Sequence, residues 1–312
     1  MHVWLPHPDV ETRMGGLPPG VTAEVWDGSD NMPSDRGRVE VLIVPLMPGQ
    51  TARLHEVVKT LPNLRFMQSL YAGVEWISPT VPPGVLLANT GEANAKPVAE
   101  WVVATLLSHL RELPRFAAQQ RESVWRLAMT DTLAYKRVTI LGNGPIGRAL
   151  HAMLLSFGAE VTVFARTARS GVRAIDELSV ELPTTDILVV LTPLTDATRG
   201  LVGADALALL PTGAIVVNAA RGPVVDTDAL VVELQNRRLH AILDVTDPEP
   251  LPAEHPLWDA PQCTITPHFA GATTRYFDNV YPLIRTQLER LIAGEPPQNL
   301  IELAIELAVE LA

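Results

Sequence analysis

One cysteine, Cys263, in 312 residues rules out an internal disulfide and leaves no thiolate cluster for a metal. No apolar run reaches the roughly 18 uncharged residues of a membrane helix, so a membrane is not an expected partner. The opening Met1-His2-Val3-Trp4-Leu5-Pro6 lacks a basic region followed by an apolar stretch, and a cytoplasmic location is expected. Basic residues are in short supply too: 24 Lys and Arg against 35 Asp and Glu give a net charge of −11, which repels nucleic acid. What is present is a globular composition, 47% hydrophobic and 19% charged, with 27 prolines and 20 glycines dispersed along the chain. The length suits two domains, each with its own core.

Short apolar or β-branched runs at residues 2–5, 22–26, 40–44, 64–67 and 85–88 alternate with helical spacing, which predicts a small α/β unit. Residues 97–113 read as a helix apolar around most of its circumference, expected between two bodies as an interdomain connection. An extended arm follows at about residues 113–136. Beyond residue 137, strand candidates at 138–141, 161–164, 187–191, 214–218, 241–245 and 263–266 alternate with helices such as the one carrying Leu150 and Leu154. Six near-continuous apolar strands predict a doubly wound parallel sheet. A last long helix, about 273–293, has Val280, Ile284 and Leu288 on one side and Pro282 as an expected kink. The expected domains are 1–93 with 277–312, and 94–276. The repetitive ending Ile301 to Ala312 reads as a helix or as an appended tail.

Gly142-Asn143-Gly144-Pro145-Ile146-Gly147 follows a strand and opens an amphipathic helix, the setting in which GxGxxG binds a dinucleotide. Gly142 permits the turn, Gly144 lets a pyrophosphate approach the backbone, and Gly147 lets helix and strand pack, while the helix N-terminus attracts the phosphates. An NAD-preferring site places Asp or Glu about 20 residues on. Here Phe164-Ala165-Arg166-Thr167-Ala168-Arg169 carries no acid, and Arg166 with Thr167, and Arg169 more weakly, are the expected contacts of a 2′-phosphate. NADP(H) is the expected cofactor, with NAD(H) second.

Arg221, Glu249 and His268 each follow the carboxyl end of a predicted strand, the side on which such sheets bind ligands. Singly, each has an ordinary role available as a loop cation, a turn acid or a packed histidine. Jointly they fit an arginine that holds a carboxylate and polarises a carbonyl, a histidine that moves a proton, and a glutamate that biases its charge. No HxH or HExxH pair occurs, and an arginine would oppose a cation there, so no metal is expected.

These residues, with Tyr71-Ala72-Gly73-Val74-Glu75, Asn94-Ala95-Lys96-Pro97-Val98-Ala99-Glu100, Leu191-Thr192-Pro193-Leu194-Thr195, Asn218-Ala219-Ala220-Arg221-Gly222-Pro223, Leu243-Asp244-Val245-Thr246-Asp247-Pro248-Glu249-Pro250 and Thr266-Pro267-His268-Phe269-Ala270-Gly271, resemble the D-isomer-specific 2-hydroxyacid dehydrogenases over most of the chain. The resemblance implies two Rossmann-like or flavodoxin-like α/β domains with the active-site cleft between them. It implies a catalytic Arg221, Glu249 and His268, and substrate-carboxylate binding by backbone N–H groups near Ala72 and Gly73, with Arg221 and His268 also meeting the substrate. Asp244 is then near the nicotinamide and its ribose, and Thr192, Pro193, Ala219 and Ala220 line the cofactor. The arm packs on a second subunit, giving a homodimer.

Thr246 stands where the family often has an aromatic, and Ala165 replaces the NAD-selecting acid, which resembles the NADP-dependent glyoxylate and hydroxypyruvate reductases. Glu249, in place of glutamine, sets the chain apart from formate dehydrogenase. The implied reaction moves a hydride between NADP(H) and a small 2-keto or 2-hydroxy acid, with a D-2-hydroxy acid as product. The alternative is a nucleotide-sensing protein of corepressor type, which needs the glycine loop but no proton donor.

Overall fold

The computed structural model describes residues 1–47 and 50–301, so the repeat beyond Ile301 lies outside the described residues. The chain divides into two compact units, one holding residues 1–94 and the chain from Thr274, the other Ala95–Thr273. Both are parallel sheets with helices.

In the first unit, β1 (His2–Leu5), α1 (Asp9–Arg13), β2 (Thr22–Val25), β3 (Val39–Ile43), α2 (Thr51–Val58), β4 (Phe66–Gln68) and β5 (Leu86–Ala88) follow in order. All pairings are parallel in the order β2-β1-β3-β4-β5, a flavodoxin-like arrangement. The central strands read as apolar runs because both faces are covered. Trp4, Leu42 and Met67 join Trp26 and Leu54 in one core, while Val3, Val41, Ile43 and Phe66 form a second on the other face.

The second unit begins with α3 (Ala95–Leu110) and α4 (Leu113–Arg121), then β6 (Arg137–Leu141), α5 (Pro145–Ser156), β7 (Glu160–Ala165), β8 (Arg173–Ala174), α6 (Leu178–Glu181), β9 (Ile187–Val190), α7 (Ala204–Leu209), β10 (Ile215–Asn218), α8 (Thr227–Gln235), β11 (His240–Leu243) and β12 (Cys263–Ile265). Its sheet runs β12-β11-β10-β9-β6-β7-β8, all parallel. This is the doubly wound order, with the switch point between β6 and β9. All four residues of β9 and of β10 are buried, which is why these strands are apolar apart from Asn218 at the carboxyl end of β10.

Three expectations need correction. The sheet has seven strands rather than six, because β8 is only two half-buried residues paired to Phe164 and Ala165 and carries no apolar run. The arm is not extended throughout: α4 occupies its first part, where Pro114 opens the helix and Phe116-Ala117-Ala118-Gln119-Gln120 continue it without burying any residue. The helix α3, inside the expected 94–276 span, uses its apolar surface within the second unit's own core, where Trp101, Val102 and Leu106 join Leu150 and Leu154 of α5 and the sheet. Its broad apolar surface faces that core.

The last helix, α9 (Tyr276–Ile292), runs on through Pro282. Its buried stripe of Val280, Tyr281, Ile284 and Leu288 packs against Val3, Val41, Ile43 and Phe66, returning the chain to the first unit.

Candidate active site

The glycine loop joins β6 to α5 at the switch point. Gly142 has φ +119°, and a Cβ there would lie 2.8 Å from the Leu191 carbonyl oxygen, so only glycine fits. A Cβ on Gly147 would lie 2.0 Å from the Gly142 carbonyl oxygen, the close helix-to-strand approach that the motif serves. Gly144, in contrast, faces open space, with no heavy atom within 4 Å of its Cβ position. Its opening leads to the first turn of α5, whose N–H groups have no carbonyl partner within the helix. Beside the loop, the buried Thr192 hydroxyl has no hydrogen-bond partner, a polar atom that a ligand would satisfy. These features fit a dinucleotide.

At the end of β7, Arg166, Thr167 and Arg169 are all exposed. Arg169, the weaker candidate, is the one held to the loop, donating to the Asn143 carbonyl at 3.4 Å.

Arg221, Glu249 and His268 gather beyond β10, β11 and β12. The turn after β10 is fixed by buried Asn218, whose amide donates to the Arg221 carbonyl at 3.0 Å and whose oxygen accepts from Ala220 N–H at 3.1 Å. Gly222 lies so close to the loop after β11 that an added Cβ would stand 1.9 Å from the Thr246 carbonyl oxygen. Thr246 donates its hydroxyl to the Pro248 carbonyl at 2.9 Å, shaping the approach to Glu249. His268 Nδ1 and Glu249 Oε1 are 2.6 Å apart.

The loop that presents His268 is pinned by Asp244. One oxygen of its buried carboxylate accepts from the Thr266 hydroxyl at 2.6 Å and Phe269 N–H at 3.0 Å, the other from Ala270 N–H at 3.0 Å. The Asp244 carbonyl accepts from His268 N–H at 2.8 Å. His268 sits at φ +51°, a conformation that a non-glycine residue keeps only where its surroundings enforce it. Asp244 therefore positions the histidine.

The charges agree with the geometry. The hydrogen bond that His268 donates to Glu249, with the Glu249 and Asp244 charges, raises the His268 pKa against the lowering by burial and the Arg221 charge. Burial pushes the Glu249 carboxyl up, but the hydrogen bond and charge of His268, together with Arg221, hold it below its usual range. The Arg221 charge lowers the pKa of both groups.

In the first unit, Ala72 and Gly73 lie in the turn after β4. Asn89 donates its amide to the Ala72 carbonyl at 2.7 Å, and Thr90 N–H donates to the Tyr71 carbonyl at 3.3 Å. A separate cavity of about 930 Å³ in the second unit, lined by His109, His240 and Ile215, opens at the amino ends of β10 and β11, the sheet end opposite Arg221, Glu249 and His268.

A family model described as D-isomer specific 2-hydroxyacid dehydrogenase, NAD binding domain, matches residues 103–270. The chain belongs to this family. It is 27% identical to a glyoxylate/hydroxypyruvate reductase A of Yersinia enterocolitica, over 97% of this chain and 98% of that one. A D-isomer specific 2-hydroxyacid dehydrogenase of Xanthobacter autotrophicus Py2, solved in complex with NADPH and MES, superposes with a TM-score of 0.82 at 32% identity over 96% of this chain and 97% of that chain. An NADPH-dependent glyoxylate/hydroxypyruvate reductase of Sinorhizobium meliloti, solved with NADP and sulfate, gives 0.81 at 27% identity, covering 96% and 98%. This D-2-hydroxyacid dehydrogenase is thus a nicotinamide-dependent oxidoreductase whose relatives include the glyoxylate/hydroxypyruvate reductases.

Several residues beside the glycine loop and the 71–73 turn carry no signal in the sequence. Arg148 escaped notice because it follows the glycine motif, yet it donates to the Asn143 carbonyl at 3.2 Å. Thr90 and Asn94, near the 71–73 turn, are buried with unpartnered side-chain oxygens. No residue spacing signals them, since their burial depends on tertiary packing.

Proposed function

We propose that the protein reduces a small 2-keto acid of the glyoxylate or hydroxypyruvate kind to a D-2-hydroxy acid with NADP(H), using Arg221, Glu249 and His268. The observation that carries this reading is the 2.6 Å contact between His268 Nδ1 and Glu249 Oε1 next to Arg221. The glycine loop and Thr192 hold the cofactor, with Pro193, Ala219, Ala220 and Asp244 around it. A bound dihydronicotinamide supplies the hydride to the keto carbon. Glu249 accepts from Nδ1–H of His268 and leaves Nε2 to give its proton to the developing alkoxide. Arg221 binds the substrate carboxylate and the keto oxygen, where negative charge grows in the transition state. Backbone N–H groups at Ala72 and Gly73 are the carboxylate donors proposed for the first unit.

Cofactor choice follows from the end of β7. Ala165 offers no carboxylate to a ribose 2′-hydroxyl, and Arg166, Thr167 and Arg169 offer charge and hydrogen bonds to a 2′-phosphate. Loss of absorbance at 340 nm with glyoxylate, hydroxypyruvate, pyruvate and phenylpyruvate, run with NADPH and NADH in parallel, tests the reading. Turnover of the small acids with NADPH preferred is expected, and Arg166→Ala should weaken NADPH about tenfold while leaving NADH within about twofold. Tight NADPH binding without oxidation by any keto acid would favour the sensor instead.

The arm supports a homodimer. Trp125, Leu127 and Met129 are 99%, 89% and 92% exposed, an apolar concentration on one segment that a second copy would cover.

A further inference from the structure

Asn143 stands between Gly142 and Gly144, at a position where neither the turn nor the pyrophosphate requires a polar side chain. Two guanidinium groups converge on it. Arg148 Nη1 donates to its carbonyl oxygen at 3.2 Å, and Arg169 Nη2 reaches the same oxygen at 3.4 Å. Turning the side-chain amide so that its oxygen rather than its nitrogen faces Arg169 satisfies both groups, and that oxygen then accepts from Arg169 Nε at 3.2 Å and Nη2 at 2.9 Å. Arg169 is also fixed at its backbone: its N–H and C=O bond to Val172 at 3.0 and 2.8 Å, closing a turn in which Gly171 takes φ +73°. Arg166 makes no hydrogen bond or ion pair among the described residues.

We propose that Asn143 is a positioning residue for a phosphate monoester on the cofactor's adenosine ribose, because it holds the Arg169 guanidinium in place before the ligand arrives. The inference rests on the reading that NADP(H) binds at the glycine loop. An arginine left free loses rotamer entropy when it grips a phosphate, and one already held at two donors loses less. Neutral amide and carbonyl oxygens restrain the guanidinium without cancelling its charge, as a carboxylate would, so the cation remains available for a charge-assisted hydrogen bond. The glycine loop then takes part in choosing between cofactors through its second residue.

Calorimetric binding of NADPH, NADH, 2′,5′-ADP and 5′-AMP to the wild type, Asn143→Ala, Arg169→Ala and the double variant tests this. Asn143→Ala should weaken NADPH and 2′,5′-ADP about five- to tenfold and the ligands without a 2′-phosphate by less than about twofold. In the Arg169→Ala background the same change should cost nothing further, since Asn143 acts through Arg169. Equal losses for NADPH and NADH, or a full Asn143 effect without Arg169, would overturn the positioning role while leaving the NADP(H) reading intact. A wild type that binds NADPH and NADH equally would overturn that reading, and the inference with it.

Discussion

Replacing His268 with alanine should lower kcat for keto-acid reduction by about 10²- to 10⁴-fold, the usual contribution of a positioned general acid, while NADPH binds within about twofold of wild type. The imidazole is half exposed, so its loss leaves no large cavity. Glu249→Gln separates proton supply from folding. The proposed reduction uses protonated His268, so the rate should fall as pH rises through the histidine's pKa. Glu249 raises that pKa chiefly through its hydrogen bond. Removing the carboxylate charge should therefore move the alkaline limb of the reduction profile to lower pH, and the limb for hydroxy-acid oxidation, which needs neutral histidine, in the same direction. Stopped-flow rates across pH 5–9 would register both. An unmoved limb would show that Glu249 does not set the charge of His268.

A single added methyl at Gly222 should be nearly as damaging. The new Cβ would lie 1.9 Å from the Thr246 carbonyl oxygen and 2.7 Å from the Asp247 nitrogen, both backbone atoms, so one of the two loops must move. One carries Arg221 and the other leads to Glu249. A displacement of about 1 Å in such a set costs on the order of 10²-fold in rate, and the overpacking itself costs about 1–3 kcal/mol of stability. Gly222→Ala should thus show strongly reduced kcat/KM and a lowered Tm with the glycine loop undisturbed, so that NADPH affinity stays near wild type. Wild-type kcat/KM in this variant would mean that the approach of the two loops does not hold the catalytic set.

Much of the architecture is legible from residues because parallel strands buried on both faces read as near-continuous apolar runs, as Ile187–Val190 and Ile215–Val217 do. The Arg221, Glu249 and His268 positions are readable for a related reason: a doubly wound sheet exposes its ligand side at the carboxyl ends of its strands. Features set by tertiary contact are not readable in this way. β8 is too short to carry a pattern, and α4 buries nothing that would give it one. The internal use of the Asp244 carboxylate, with three donors from the histidine loop, appears only once that loop is folded over it. Arg169 looks secondary to Arg166 in sequence because only distance from the strand end distinguishes them there; its turn and its contact with Asn143 depend on tertiary placement.

The proposed chemistry has guanidinium, carboxylate and imidazole acting together on a 2-oxo acid. A crystal structure of the protein with NADPH and oxamate, a 2-oxo acid mimic that resists reduction, tests it most directly. The expected result has the oxamate carboxylate on Arg221 and its amide oxygen within about 3.2 Å of His268 Nε2, with Nδ1 still on Glu249. Oxamate bound beside the nicotinamide with His268 turned away from it would contradict the account.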